Sequence, residues 1–333
     1  MLDLAIPKPA AQINHRESLL LVGSCFTENI GGMLAGLKFN AVSNPTGILF
    51  DPDSVGRHFN DFVHQRAYRQ EDLAQHDGVW LSWNHHGRFS NADSSKAAGE
   101  INDAVQVGSV ALRQARWCIV TLGSSFAYRL KEADARVANC HRVPQTQFVK
   151  ERMTADETFF CLKASMGAAR RVNPNLNFIL TVSPVRHSRD GLVENNLSKA
   201  GLIEAVHALV EAFPFAHYFP AYELVIDVLR DYRFYDVDLV HPNYAATRFV
   251  FEKFCETWLD GETSTLVEEI KPIVNALRHK PQHPDTEAHR LFLERLHAQT
   301  KALSVKTPWC DWSRELRYFG GDDAPIVPHD MRG

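Results

Sequence analysis

The chain has 333 residues, of which 45% are hydrophobic and 23% charged, with a formal net charge of −4 and an isoelectric point near 6.5. That length and apolar content suit one large α/β domain, or a domain with an appendage, and bury a sizeable core. The mildly acidic balance gives no electrostatic case for binding nucleic acid or an anionic membrane.

Ser18-Leu19-Leu20-Leu21-Val22 is a continuous apolar run that ends at Gly23, and Ile30, Met33, Leu34 and Leu37 follow at helical spacing. This predicts a buried strand, a tight turn and then a helix. Asn44-Pro45-Thr46-Gly47 is loop chemistry. Asp51-Pro52 starts a helix to about Gln65, with proline near the first position, where its missing N–H is tolerated. Val79-Trp80-Leu81-Ser82-Trp83 alternates and is expected to pair with Arg88-Phe89 in a small hairpin. Residues from about 95 to 113 read as helix, and Trp117 to Leu122 as a second buried strand ending at Gly123.

Residues 130–153, which contain Cys140-His141-Arg142-Val143-Pro144, read as irregular. A helix follows from about Asp156 to Arg171, and Phe178 to Val182 is a third strand closed by Ser183-Pro184. Glu194 to Phe213 is helical, Ala216 to Phe219 a short strand, and Pro220-Ala221 opens a helix to about Arg230. Pro242 to Trp258 is amphipathic, with Ala245, Ala246, Phe249, Val250, Phe254 and Trp258 on one side. Strands alternating with long helices mean a mainly parallel sheet with helices on both faces. From residue 262 the pattern is helical but strongly charged, breaks at Lys306-Thr307-Pro308-Trp309, and ends in an extended tail from Gly320. The expected division is a domain over residues 1–261 and a helical C-terminal extension and tail over 262–333, with no internal repeat.

No stretch of about 18 apolar residues predicts a membrane span. The opening residues, MLDLAIPKPAAQINHRES, do not pair a basic segment with an apolar one, so no secretory signal is expected. The six cysteines, at positions 25, 118, 140, 161, 255 and 310, form no CxxC pair. Free thiols in a reducing cytoplasm are the expectation.

Ligands of an open α/β sheet bind outside the carboxyl ends of its strands. Three strands end there in small or polar residues: Gly23-Ser24, Gly123-Ser124-Ser125 and Ser183-Pro184. Ser24 sits where a strand passes into a helix N-terminus, whose free N–H groups can hold a developing oxyanion. A serine needs a positioned base. The candidate is His241 in Asp238-Leu239-Val240-His241-Pro242, where an aspartate three residues earlier can hold the imidazole. Equally, His241 is a helix cap and Asp238 a solvated loop residue. Cys25 is a rival nucleophile at the same helix start, or a small residue packing the turn.

The segment Gly23-Ser24-Cys25-Phe26-Thr27-Glu28-Asn29-Ile30 resembles the signature of the GSCFA domain family, which is similar to SGNH/GDSL-type hydrolases. The resemblance extends through Asn44-Pro45-Thr46-Gly47, Leu122-Gly123-Ser124, Cys140 to Pro144, Ser183-Pro184-Val185-Arg186-His187 and Asp238 to Pro242. It covers about residues 15–260. It implies a three-layer α/β/α, flavodoxin-like (SGNH hydrolase-like) fold, Ser24 as nucleophile, and Asp238 with His241 completing a triad.

Two departures stand out. Glycine directly precedes Ser24, where GDSL-type enzymes usually carry Gly-Asp-Ser. The usual Gly-x-Asn-Asp block is replaced by Gly123-Ser124-Ser125-Phe126, so the oxyanion hole must be built differently. The candidate donors are the N–H groups of Ser24 and Gly47, the Ser124 hydroxyl or N–H, and the Asn44 amide.

His141 and His187 are candidates to orient substrate or line the pocket, against a role as hydrogen-bonded structural histidines. Arg186 is a candidate clamp for a carboxylate or phosphate, or the partner of a buried aspartate. His85-His86 suggests metal, but adjacent strand histidines point apart and no carboxylate partner is evident, so neither metal nor cofactor is expected. Tyr218, Phe219, Tyr222, Tyr232, Phe234 and Tyr235 read as core plus pocket rim. The expected activity is that of an esterase or deacylase acting on a small-molecule or glycan acyl ester. The alternatives are an acyltransferase using the same triad and a non-catalytic binding protein.

Overall fold

A computed structural model describes residues 2–277 and 281–321. The notional tail beyond Gly321 lies outside the described residues. Strand β1 (Leu19–Gly23) leads into helix α1 (Cys25–Gly36), and β2 (Ala41–Ser43) into α2 (Pro52–His64). A hairpin of β3 (Ala74–His76) and β4 (Val79–Leu81) precedes α3 (Ser94–Gln114) and β5 (Trp117–Leu122). Next come β6 (Phe126–Leu130), β7 (Ala135–Val137) and β8 (Phe148–Arg152), then α4 (Ala155–Val172), β9 (Asn177–Val182), α5 (Leu192–Ala212) and β10 (Ala216–Tyr218). The chain closes through short α6 (Ala221–Glu223), α7 (Tyr244–Trp258), α8 (Gly261–Ala276), α9 (Glu287–Lys306) and α10 (Ser313–Gly320).

The main sheet has the order β2-β1-β5-β9-β10, and every pairing in it is parallel. Counted within the sheet, that is the 2-1-3-4-5 order of doubly wound folds, with its switch point between β1 and β5. Alternation along the strands sorts the core into two halves. Leu19, Leu21, Trp117 and Ile119 face a cluster built with α1, α7 and α8, while Leu20, Val22, Cys118, Val120 and Leu122 face one built with α2, α3, α4 and α5. The fold is therefore a three-layer α/β/α sandwich with a parallel sheet and C-terminal helices. Leu266, Val267 and Ile270 of α8 pack in the same cluster as Phe254 and Trp258 of α7.

Two local expectations are corrected. Residues 130–153 are not irregular: they contribute to an antiparallel sheet of order β7-β6-β8. Its strands are half exposed and carry no continuous apolar run. Arg88-Phe89 does not pair with Val79–Leu81. Strand β4 pairs with β3, Trp80 bridges to Asn91, and Arg88-Phe89 lies in a 3-10 turn capped by the His86 side chain. Among the described residues no helix is long and apolar enough to cross a membrane. All six cysteines are free thiols.

Candidate active site

The switch point is built around Gly23. Its φ is +139°, and a Cβ there would lie 2.1 Å from the Thr121 carbonyl oxygen, so only glycine lets β1 pass β5 into the turn. Ser24 donates its N–H to Thr121 O (3.1 Å) and then becomes the N-cap of α1. An N-cap serine ordinarily spends its hydroxyl on the first-turn N–H groups. Ser24 does not: its Oγ has no hydrogen-bond partner, although the residue is only 1% exposed. An orphaned buried hydroxyl costs about 1–3 kcal/mol, a cost that calls for an explanation such as a catalytic role.

Asn44 follows β2 with a left-handed φ of +42°. Its Oδ1 accepts the Gly23 N–H at 2.8 Å, which orients the amide and leaves Nδ2 buried with no acceptor. An unpartnered hydroxyl and an unpartnered amide donor thus both belong to residues at the Gly23-Ser24 turn. Phe50 lies nearby: a Cβ on Gly123 would lie 3.3 Å from Ser24 Cβ and 3.1 Å from Phe50 Cδ1. The Phe50 ring is held edge-on to His187 with centroids 5.9 Å apart.

The other oxyanion donors expected from the sequence are already engaged. Gly47 N–H donates to Asn44 O (2.8 Å) and Ser124 N–H to Phe50 O (3.0 Å). Ser124 Oγ accepts the Phe126 N–H at 3.1 Å and meets Ser198 Oγ at 3.4 Å. With Ser24 N–H on Thr121, the tight turns consume the very groups that make them. Gly47 has another purpose, because a Cβ there would lie 2.3 Å from His86 Cβ.

Asp238 and His241 form a pair. Asp238 Oδ1 accepts the N–H groups of Val240 (2.9 Å) and His241 (3.0 Å), and Oδ2 lies 2.6 Å from His241 Nδ1. The His241 N–H and ring, followed by the Val240 N–H, pull the Asp238 carboxyl down to about 2. With Nδ1–H on the carboxylate, Nε2 is left as a proton acceptor. His241 is nevertheless 49% exposed and makes no hydrogen bond to Ser24. The expected triad hydrogen bond is not made in this conformation, in which Ser24 is buried and His241 half exposed.

Arg186 is not a free anion clamp. Its N–H donates to Val240 O (3.2 Å), its guanidinium donates to Leu239 O (3.5 Å), and it lies 4.3 Å over the Tyr235 ring. It braces the histidine loop. His187 stands beside the turn, its N–H on Asn195 Oδ1 (2.9 Å). Burial, then the Lys199 charge, pushes its ring down to about 4, so it is neutral near pH 7. His141 is elsewhere: its Nε2 bonds Ser82 O (2.7 Å) and its ring packs on Trp83. Burial pushes the Cys25 thiol up, away from a reactive thiolate.

Lys199 went unnoticed in the sequence. It lies on α5, fully buried, with Nζ donating to Gly123 O (2.5 Å) and Ser183 O (2.7 Å). It ties the ends of β5 and β9 together next to Ser24. The available signal was the helix stripe: Asn195, Ser198 and Lys199 continue the buried face of Leu202, Val206 and Leu209.

Burial lowers the Lys199 pKa from 10.5 to about 7. Below that value folded and unfolded chains are both protonated, and the folded state carries the full cost of the buried charge. Between pH 7 and 10.5 the unfolded chain retains a proton that the folded chain releases, so stability rises with pH. Lys199→Met is expected to flatten that rise, measured as denaturant midpoints from pH 7 to 10. An unchanged slope means that Lys199 titrates normally.

One further cluster has metal-ligand chemistry. The carboxylate that His85 lacked in sequence is Asp61, which α2 brings to it together with His58.

A family model described as GSCFA family matches residues 18–254. A second, described as GSCFA domain protein, C-terminal domain, matches residues 270–320. No curated protein matches the chain.

Proposed function

The chain belongs to the GSCFA family, and we propose that it is an SGNH-like serine hydrolase that cleaves O-acyl esters through an acyl-enzyme. The observation that carries this reading is the buried Ser24 Oγ, unpartnered at a helix N-terminus beside the equally unpartnered Asn44 Nδ2. In the proposed reaction Ser24 Oγ attacks the acyl carbonyl. His241 Nε2 takes the proton and later gives it to the leaving alcohol, while Asp238 holds Nδ1–H and the ring orientation. Asn44 Nδ2 and the first N–H groups of α1 receive the oxyanion. Water, or a second alcohol in acyl transfer, then releases the acyl group. Small acyl esters, including those on glycans, are the proposed substrates, and no cofactor is invoked.

The chemistry requires His241 to close on the buried Ser24. A fluorophosphonate probe tests the reading. Labelling should map to Ser24, vanish in Ser24→Ala and fall sharply in His241→Ala. Its absence from folded protein would favour a non-catalytic binding protein, a reading for which the buried serine speaks. Asn44→Ala is expected to lower kcat about 10²–10³-fold with little change in KM, the usual effect of removing one oxyanion donor. Steady-state kinetics on an activated ester checks it, and a drop confined to KM refutes the assignment.

A further inference from the structure

We infer that His58, Asp61 and His85 form a binding site for a zinc-class divalent cation, which fastens the loop after β4 to helix α2. One ligand atom from each residue lies within 4.8 Å of the other two. His58 and Asp61, three residues apart on α2, share one helix face, and His85 comes to them from the loop. All three are buried: His58 is 1% exposed, Asp61 6% and His85 0%.

The outer contacts leave the right atoms free. His58 Nε2 is 2.6 Å from Asn84 O, a carbonyl, so that nitrogen carries the proton and Nδ1 presents a lone pair. His85 Nδ1 is 2.8 Å from Ser82 Oγ, and Asp61 Oδ2 accepts the Tyr68 hydroxyl at 2.7 Å. Metal-bound histidines characteristically donate their second N–H to a carbonyl or another oxygen. The other nitrogens, His58 Nδ1 and His85 Nε2, are buried with no partner. Two orphaned ring nitrogens beside a carboxylate are costly to fold around and are satisfied together by one cation.

Two imidazoles and one carboxylate suit zinc rather than magnesium or calcium, which prefer all-oxygen sets. Of the arginines around the cluster, Arg57 is engaged by Asp53 and Asn84, and Arg66 pairs with Asp72 and lies over the Tyr68 ring. Three protein ligands leave the fourth tetrahedral position to water.

The cation would steady the proposed active site indirectly. His86 packs against Gly47, and the Arg88 guanidinium donates to Asn44 O (3.1 Å) and Pro45 O (2.6 Å). The site itself does not depend on the hydrolase reading. The test strips the full chain with a chelator, reloads it with Zn(II), desalts it and measures bound metal. About one zinc per chain is expected, against none in His58→Ala and His85→Ala. Because those variants can fail to fold, X-ray absorption of the zinc-loaded natural chain decides independently. Two imidazole nitrogens and only nitrogen or oxygen ligands support the site. Sulfur ligation, which would place zinc on the cysteines, or no retained zinc overturns it.

Discussion

Ser24→Ala is expected to lower kcat on an activated ester by about a million-fold, the loss typical of removing a serine nucleophile, while making the protein more stable. The two effects share one cause. The hydroxyl is buried with no partner, and it neither caps α1 nor bonds to the histidine. Removing it deletes a polar atom that folding has to desolvate, worth about 1 kcal/mol, and opens almost no space. An ordinary N-cap serine behaves in the opposite way, since its alanine variant loses about 1 kcal/mol. Kinetics and denaturant unfolding of one variant therefore separate nucleophile from cap. Residual activity within tenfold of the natural chain sinks the nucleophile; a clear loss of stability returns Ser24 to a capping role. Cys25→Ala is the control and should keep most of the activity, because burial holds that thiol protonated.

Strands β1, β5 and β9 were legible because each is a continuous apolar run bounded by glycine, serine or proline, the signature of a strand covered on both faces. Strand β2, with three half-buried residues, has too little pattern to announce itself. The β6-β7-β8 sheet packs around a small cluster of Leu130, Val137, Val143 and Phe148, which are scattered in sequence. The site divided along the same line. The Asp238–His241 pair is local, so spacing alone suggested it. The oxyanion donors were misjudged because backbone N–H groups in tight turns pair with carbonyls invisible to sequence, as Ser24 does with Thr121 and Gly47 with Asn44. Lys199, His58 and Asp61 were missed for a related reason, and His85, which the sequence did flag for metal, lacked its partners. Each of the three looks like an ordinary polar residue until folding buries it.

Asp238→Asn carries the second large effect, a fall in kcat of about ten-thousand-fold. Asparagine retains an oxygen where Asp238 Oδ1 receives the Val240 and His241 N–H groups, so the loop keeps its shape. At the other position an NH₂ replaces the oxygen that faces His241 Nδ1. That donor drives the imidazole into the opposite tautomer, with its proton on Nε2, where it can no longer accept one from Ser24. The fold survives while the base is disabled, so circular dichroism should be unchanged and probe labelling of Ser24 nearly lost. Asp238→Ala, which gives up the loop bonds as well, should lose stability too. If Asp238→Asn keeps activity within tenfold, the base is not His241. The neighbouring group held near neutral pKa is then Lys199, and Lys199→Met becomes the variant that must lose activity. Neutral lysine accepts a proton only above about pH 7, so that outcome would also move the acid limb of the pH–rate profile with the lysine.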